Sequence, residues 1–328
     1  MEAKPVAGYK ALCAVVIDTG TGHTRSGLAG DEQPRSVVPS QGEGGPLLTH
    51  GVVTNWDGLE ELWHRVFYRE LGVCPEEVAV LVTDAPLSPP ANREKVAELL
   101  FEGFGVPAML VLPRSLLATY SYGRTSGVVV GSGAGTSYVA GVQDGYALPH
   151  TTFRLDVAGD ALTLYLGRLL GSRGIHLGDD SLRCLKETCC CVMPGAGGAL
   201  PLTPPDASGL LLGDERFRCP EVLLAPAALG LPGPGLLEQA ARSLHCCRGP
   251  PSHPPPPLML AGGTTLLHGF TRRLAAELGA PPEAAPRRRT AAWLGGSLAA
   301  SLDAFQGAWV PRGTYGESGP AALHPRCC

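Results

Sequence analysis

The residues best placed to do chemistry in this chain lie in two short glycine-rich turns. The first, Thr19-Gly20-Thr21-Gly22, follows an apolar run that ends in Asp18. The second is Gly131-Ser132-Gly133-Ala134-Gly135. Small residues at a turn let successive backbone N–H groups converge on one anion, and a phosphate suits such a cradle. One glycine turn is a weak signal, whereas two on matching hairpins point to a phosphate clamped between them. Asp18, at the head of the first turn, is a carboxylate that could orient waters on a divalent ion. A third segment, Gly262-Gly263-Thr264-Thr265, precedes a helical pattern, where backbone amides and the positive helix end favour a nucleotide. Each segment also reads as a plain turn. Residue chemistry alone reaches a nucleotide cleft between two α/β lobes and stops there.

The elements that must position these turns are legible as alternating patterns. An apolar run at 12–17 and a second strand at 25–29 flank the first turn as a hairpin. Asn55 or Asp57 can cap a helix with Leu59, Leu62, Trp63, Val66, Phe67 and Leu71 on one stripe. A buried strand is predicted at 78–82, a helix at 91–104, a strand at 109–112 and a short helix at 115–122. The pattern then restarts: strands at 127–130 and 136–142 flank the second turn, and helices follow at 160–170 and 179–191. A last strand at 258–260 leads through the third glycine segment to a helix at 270–278. A hairpin with a glycine turn, followed by alternating helix and strand, thus occurs twice, which implies two similar α/β lobes.

Composition agrees with a folded body carrying soft loops. Of 328 residues, 44% are hydrophobic and 17% charged, enough apolar material for a core in two domains or lobes. The 44 Gly and 31 Pro stay just under the ~25–30% at which low-complexity disorder becomes the default. A net charge of −4 gives no footprint for nucleic acid or an anionic membrane. No apolar run is long enough to span a bilayer, and the first nine residues lack the apolar core of a secretory leader. Eleven cysteines without a Cys-x-x-Cys pair argue for reduced thiols and against zinc. Three segments look weak: Gln41-to-Thr49, 194–208, and 249–257, whose four final prolines suit either a plain loop or a polyproline ligand. The terminal Cys327-Cys328 reads as a packed tail, with lipidation as the other reading.

The ordered motifs resemble the actin family. Val16-Ile17-Asp18-Thr19-Gly20-Thr21-Gly22 and Ser26-Gly27-Leu28-Ala29-Gly30-Asp31 resemble its start, and Gly51-Val52-Val53-Thr54-Asn55-Trp56-Asp57 its next landmark. Further matches are Ala91-Asn92-Arg93-Glu94-Lys95, Gly145-Tyr146-Ala147-Leu148-Pro149-His150 and Glu215-Arg216-Phe217-Arg218-Cys219-Pro220-Glu221. Gly262-Gly263-Thr264-Thr265, Trp293-Leu294-Gly295-Gly296-Ser297 and Glu317-Ser318-Gly319-Pro320 complete the series in family order. The chain looks most like the divergent actin-like proteins of the male germ line. The resemblance implies two RNase-H-like α/β domains around a nucleotide cleft. The first lobe is expected at 1–121 plus 291–328, with its small subdomain cut to about 40–49. The second is expected at 122–290, with a reduced small subdomain at about 158–240.

Carried over position by position, the resemblance implies a site that binds better than it reacts. Asp18 matches the aspartate facing the metal, through water, and Gly20, Thr21 and Gly22 match the first phosphate turn. Arg25 stands where the family has a phosphate-binding lysine. Ser132, Gly133 and Gly135 match the second turn, and Arg183, Lys186, Glu187, Gly262, Gly263 and Thr264 match the adenosine side. The reaction centre is replaced: Gly131 and Ala134 stand for two aspartates, Arg114 for the glutamine that positions water, and Tyr138 for a histidine. An arginine has no acceptor and does not deprotonate in a protein, so it cannot orient or activate water as glutamine does. Such groups act as a unit, so ATPase activity is expected to be very low, with no catalytic residue remaining. ATP or ADP is the implied ligand, and Mg²⁺ is left open. With two anions lost and a cation gained, arginines are expected to neutralise phosphate in part of the metal's place. The other reading is an empty cleft closed by packing.

The same resemblance bears on assembly. Nine residues at 41–49 are too few to build the small subdomain whose loop joins neighbouring subunits, so self-polymerisation is not expected. Tyr120, Gly123, Thr125, Gly145 and Leu302 match the groove where the family binds regulators, and such a groove accepts an amphipathic helix. These readings converge on a non-catalytic adaptor or scaffold with cytoskeletal protein partners, in the cytoplasm, with the nucleus open. An ATP-binding switch and an active ATPase are the alternatives.

Overall fold

The computed structural model describes residues 14–193, 212–248 and 254–326. The 194–208 loop, residues 249–253 of the proline-rich segment and Cys327-Cys328 lie outside them. The chain divides into two compact units. One takes Met1–Thr125, Val142–Ala147 and Thr290–Cys328; the other takes Ser126–Gly141 and Leu148–Arg289.

The chain opens with β1 (Ala14–Thr19), six residues that are all buried. A continuous apolar run of this kind is what a strand covered on both faces requires. β2 (His23–Leu28) returns antiparallel, with Val16 opposite Gly27 and Asp18 opposite Arg25. β3 (Ser36–Pro39) extends the sheet beyond β2. The segment read as weak forms small hairpins instead of a bare loop: β4 (Gln41–Gly42) pairs β5 (Gly45–Pro46), and β6 (Leu48–Thr49) pairs β7 (Val52–Val53). Leu47 and Leu48 are buried in the first unit's core.

α1 (Trp56–Arg65) starts where Asn55 caps it, the side-chain oxygen accepting from the Gly58 N–H at 2.9 Å. The apolar stripe runs on through a wider π turn, Val66–Leu71, that Gly72 ends in a left-handed conformation. β8 (Ala79–Asp84) lies parallel to β1. The helix expected over 91–104 is α2 (Pro90–Glu98) followed by another π turn, Leu99–Gly103. β9 (Ala108–Pro113) runs parallel to β8, and α3 (Arg114–Ser121) begins at once after it.

In the second unit, β10 (Gly127–Ser132) and β11 (Ser137–Gln143) flank the second glycine turn, and β12 (Tyr146–Leu155) follows. α4 (Gly159–Gly171) and α5 (Asp179–Cys189) come next. α5 stops short of the expected Cys191 because Cys190 turns extended and the Cys191 N–H bonds the Arg216 carbonyl. α6 (Glu215–Glu221), α7 (Leu236–Cys246), β13 (Leu258–Ala261) and α8 (Phe270–Leu278) complete this unit. β13 lies parallel to β10 and closes a sheet ordered β12-β11-β10-β13.

The chain returns to the first unit with α9 (Ala291–Ser301), β14 (Val310–Pro311) and α10 (Arg312–Ser318). β14 completes the order β14-β9-β8-β1-β2-β3. α9 packs on α3 so closely that a Cβ at Gly295 would stand 1.7 Å from the Leu117 carbonyl oxygen. Trp293 of α9 is fully buried, and its indole N–H donates to the Val16 carbonyl at 3.1 Å. Among the described residues eight cysteines are free thiols, with Cys189, Cys190, Cys191 and Cys219 buried.

Candidate functional site

Each unit carries one glycine turn, and the two turns close in the same way. The Gly20 N–H donates to the His23 carbonyl at 3.0 Å, and the Gly133 N–H donates to the Thr136 carbonyl at 3.0 Å. Asp18 precedes the first closure by the same spacing that separates Gly131 from the second. Arg25 and Tyr138 likewise sit at equivalent places on the returning strands. The two hairpins have solved this shared position with different chemistry.

In the first, Asp18 is buried and surrounded by donors. Arg114 Nε donates to its Oδ1 at 3.0 Å, and Thr83 Oγ1 donates to the same oxygen at 2.6 Å. Arg25 Nη1 reaches Oδ2 at 3.5 Å. Arg114 also bonds Thr83 Oγ1 at 3.2 Å and, through Nη2, the Thr19 carbonyl oxygen. Burial pushes the Asp18 carboxyl up, but the charges of Arg114 and Arg25 and the hydrogen bonds from Thr83 and Arg114 outweigh it and hold the pKa below 3.8. The carboxylate is therefore ionised and already paired. Trp63 Nε1 donates to Thr19 Oγ1 at 3.2 Å, and the Ser40 N–H to the Gly22 carbonyl at 3.2 Å. Beside it a cavity of about 30 Å³, lined in part by Thr19, Trp63, Thr83, Asp84, Arg93 and Arg114, has room for one water.

This geometry bears on two sequence expectations. Arg114 and Arg25 direct their guanidinium groups at Asp18, so their charge is largely spent within the protein and not held open for phosphate. Asp18, in turn, is paired with protein donors and, among the described residues, has no second acidic ligand beside it. Both its oxygens accept from protein donors, and the described residues contain no group of three or more His, Cys, Asp or Glu side chains able to hold an ion. The donor set present does not fit the Mg²⁺ that the resemblance brings with it.

In the second hairpin the position has been emptied of charge. A Cβ on Gly131 would lie 2.2–2.7 Å from ring atoms and the hydroxyl of Tyr138, so the ring fills the space any side chain at 131 needs. Ser132 is fully buried, its hydroxyl 2.7 Å from that of Ser137, and so is turned inward. The turn itself is well anchored: Gly159 N–H donates to Gly133 O at 3.0 Å, Asp160 N–H to Ala134 O at 2.8 Å, and Thr264 Oγ1 to Gly133 O at 2.6 Å.

Gly262 supports the same region from the end of β13. Its φ is +86°, and a Cβ there would lie 2.2 Å from the Ser132 carbonyl oxygen. Only glycine permits that approach of one backbone to another. Gly263 lies against the Arg289 side chain. The Gly133 and Gly262 amides themselves donate within the protein, to the Thr136 and Arg288 carbonyls. Of the three α5 residues assigned to the adenosine side, Arg183 and Glu187 are exposed and pair with Asp180 at 3.8 Å and Arg289 at 3.4 Å. Lys186 is buried instead, donating to Gly159 O at 2.8 Å and Thr163 Oγ1 at 2.9 Å. Its pKa falls because burial disfavours the charged form.

The five groove residues all belong to the first unit. Gly145 N–H donates to Thr125 O at 2.9 Å, and Tyr120 OH reaches Gly145 O at 3.5 Å. Gly145 and Gly123 hold positive φ, as these reversals require. Tyr120 meets Phe305 edge-on at 5.6 Å, and Leu302, just before Phe305, is 53% exposed.

The actin family model matches residues 44–182 and 185–328 of this chain. This chain belongs to the actin family. Actin-like protein 7B of Homo sapiens is 38% identical over 378 aligned residues, covering 100% of this chain and 91% of that protein. Actin-like protein 7A of Mus musculus is 38% identical over 96% of this chain and 83% of its own length. An alignment of 378 positions for a chain of 328 means that the human relative carries segments absent here, as expected for an actin fold with truncated parts. Two residues of this actin-family centre escaped the reading of the sequence. Thr83 and Trp63 are an unremarkable hydroxyl and aromatic until β8 and α1 bring them against Asp18 and Thr19. The one available signal for Thr83 was its place at the end of a buried strand, where sites of parallel sheets gather.

Proposed function

We propose that this actin-family protein is a non-catalytic adaptor or scaffold that works with cytoskeletal protein partners. The observation that supports the reading is the engagement of Asp18 by Arg114. A residue that would have to free a carboxylate for a metal, and present an acceptor to water, instead closes an ion pair. Gly131 under the Tyr138 ring supports it from the other hairpin, since no carboxylate can stand there. Protein groups anchor both turns: the Ser40 N–H and the Trp63 indole on the first, Gly159, Asp160 and Thr264 on the second. Leu302, Tyr120 and Phe305 offer an apolar rim suited to an amphipathic helix. A cytoplasmic, cytoskeleton-associated setting follows from this reading.

A second reading, an ATP-binding switch without turnover, is supported by the match of the three glycine segments to the family's nucleotide-binding turns. Melting of purified monomer with ATP or ADP, with and without Mg²⁺, separates the two, because a ligand of the folded state must raise the melting temperature. The scaffold reading expects little or no shift, the switch reading a clear shift insensitive to EDTA. Single-turnover hydrolysis at a rate near that of actin measured alongside would defeat both and restore an ATPase.

A further inference from the structure

We infer that Arg114 is the built-in cation of the Asp18 centre and that this centre therefore excludes divalent metal ions. The guanidinium bridges Asp18 and the first turn. Its Nε lies 3.0 Å from Oδ1, and its Nη2 bonds the Thr19 carbonyl, so it spans the carboxylate and the backbone of the first turn at once. Thr83 fixes both partners, donating to Asp18 at 2.6 Å and accepting from Arg114 at 3.2 Å. Arg25 covers the second carboxylate oxygen. A divalent ion approaching Asp18 meets two fixed positive charges and finds no second carboxylate among the lining residues positioned to offset them. The nearest acid in the same cavity, Asp84, is held by Arg93 at 2.6 Å. A fixed guanidinium cannot dissociate or lose its proton in this setting, so the pairing is permanent in a way that a bound ion is not.

The inference goes beyond the adaptor reading, and its test uses no nucleotide and no partner, so either can fail alone. The full-length protein is titrated with Mn²⁺, and bound ion is read from the relaxation rate of solvent protons. The wild type is expected to show no stoichiometric site. Arg114→Gln removes the charge while keeping a polar side chain, and is expected to bind Mn²⁺ at least about tenfold more tightly than wild type, since a unit charge near 3 Å is worth several kT even in a polarisable site. That gain should disappear in Asp18→Asn/Arg114→Gln, and Arg114→Lys should exclude the ion as wild type does. A one-to-one wild-type site lost on Asp18→Asn overturns the inference, and does so whether or not the Arg114 variants fold. A folded Arg114→Gln protein with no gain in Mn²⁺ affinity overturns it equally.

Discussion

At the scale of single residues, the position of Asp18 in this chain is decided by what surrounds it. Sequence reading singled out Asp18 from its place at the head of the first turn, and Arg25 and Arg114 because the family resemblance marks their positions. It did not show that they bind one another. Arg114 is 96 residues from Asp18, and only the parallel packing of β8 between β1 and β9 brings its side chain to the carboxylate. A consequence concerns acid stability. The Asp18 pKa is depressed in the folded state, so its contribution is fully present above the ordinary 3.8 and is lost as pH falls through the folded value. Asp84 acts in the opposite sense: burial raises its pKa, so its ionisation costs stability as pH rises past 3.8. The diagnostic is therefore the difference between Asp18→Asn and wild type. At neutral pH the variant should lose about 3–5 kcal/mol, because two partly buried arginines are left without their counter-charge. The gap should begin to narrow as pH drops below 3.8 and close only below the lower, folded value. Urea midpoints at pH 6 and pH 3 measure both; an equal gap at the two values would mean that the Asp18 pKa is the same in the folded and unfolded states, so that its pairing is not linked to folding.

At the scale of elements, the repeated hairpin was legible because two signals coincide, apolar runs of strand length and a glycine turn between them. The cap and stripe of α1 were legible for similar local reasons. α9 was missed, and so were α6, α7, β3 and β12. Two adjacent glycines in the α9 sequence Trp293-Leu294-Gly295-Gly296 argue against a helix on propensity. Gly295 is there because the crossing with α3 leaves no room for a Cβ, and Gly296 because Val16 of β1 and Leu81 of β8 press on it, tertiary reasons no local pattern carries. The Gly131 and Tyr138 pair is another such case. Sequence reading treated them as two separate losses from a reaction centre, whereas the ring and the missing side chain occupy one volume. Gly131→Asp alone should therefore destabilise the protein, by about 1–3 kcal/mol for the forced overpacking and more for the charge buried with it. Tyr138→His in that background should recover part of the loss, although Tyr138→His by itself removes packing. Equilibrium denaturation of the four proteins closes the cycle, and strict additivity would show that the two positions do not compete for space.

At the scale of the whole molecule, length becomes the argument. Family membership and the α/β architecture were legible early because ordered motifs survive along nearly the entire chain. The shape of the shortened segment was not, since nine polar and glycine-rich residues carry little pattern. The structure shows them folded back on the first unit. The Leu47 N–H donates to Ser40 O at 3.2 Å, its carbonyl accepts from Thr54 at 3.0 Å and Asn55 at 3.2 Å, and Leu47 and Leu48 bury their side chains in the core. On the proposed reading, a segment spent in this way does not serve as the loop that joins neighbouring copies. Under Mg²⁺ and KCl conditions in which actin alone forms filaments, this protein should stay in the supernatant after high-speed sedimentation and remain monomeric by analytical ultracentrifugation. Restoring the family's longer insert between Ser40 and His50 tests the cause. If the deletion alone prevents assembly, the extended protein should begin to pellet; regular filaments from the native chain would instead show that its contacts lie elsewhere on the surface and would end the scaffold reading in its monomeric form.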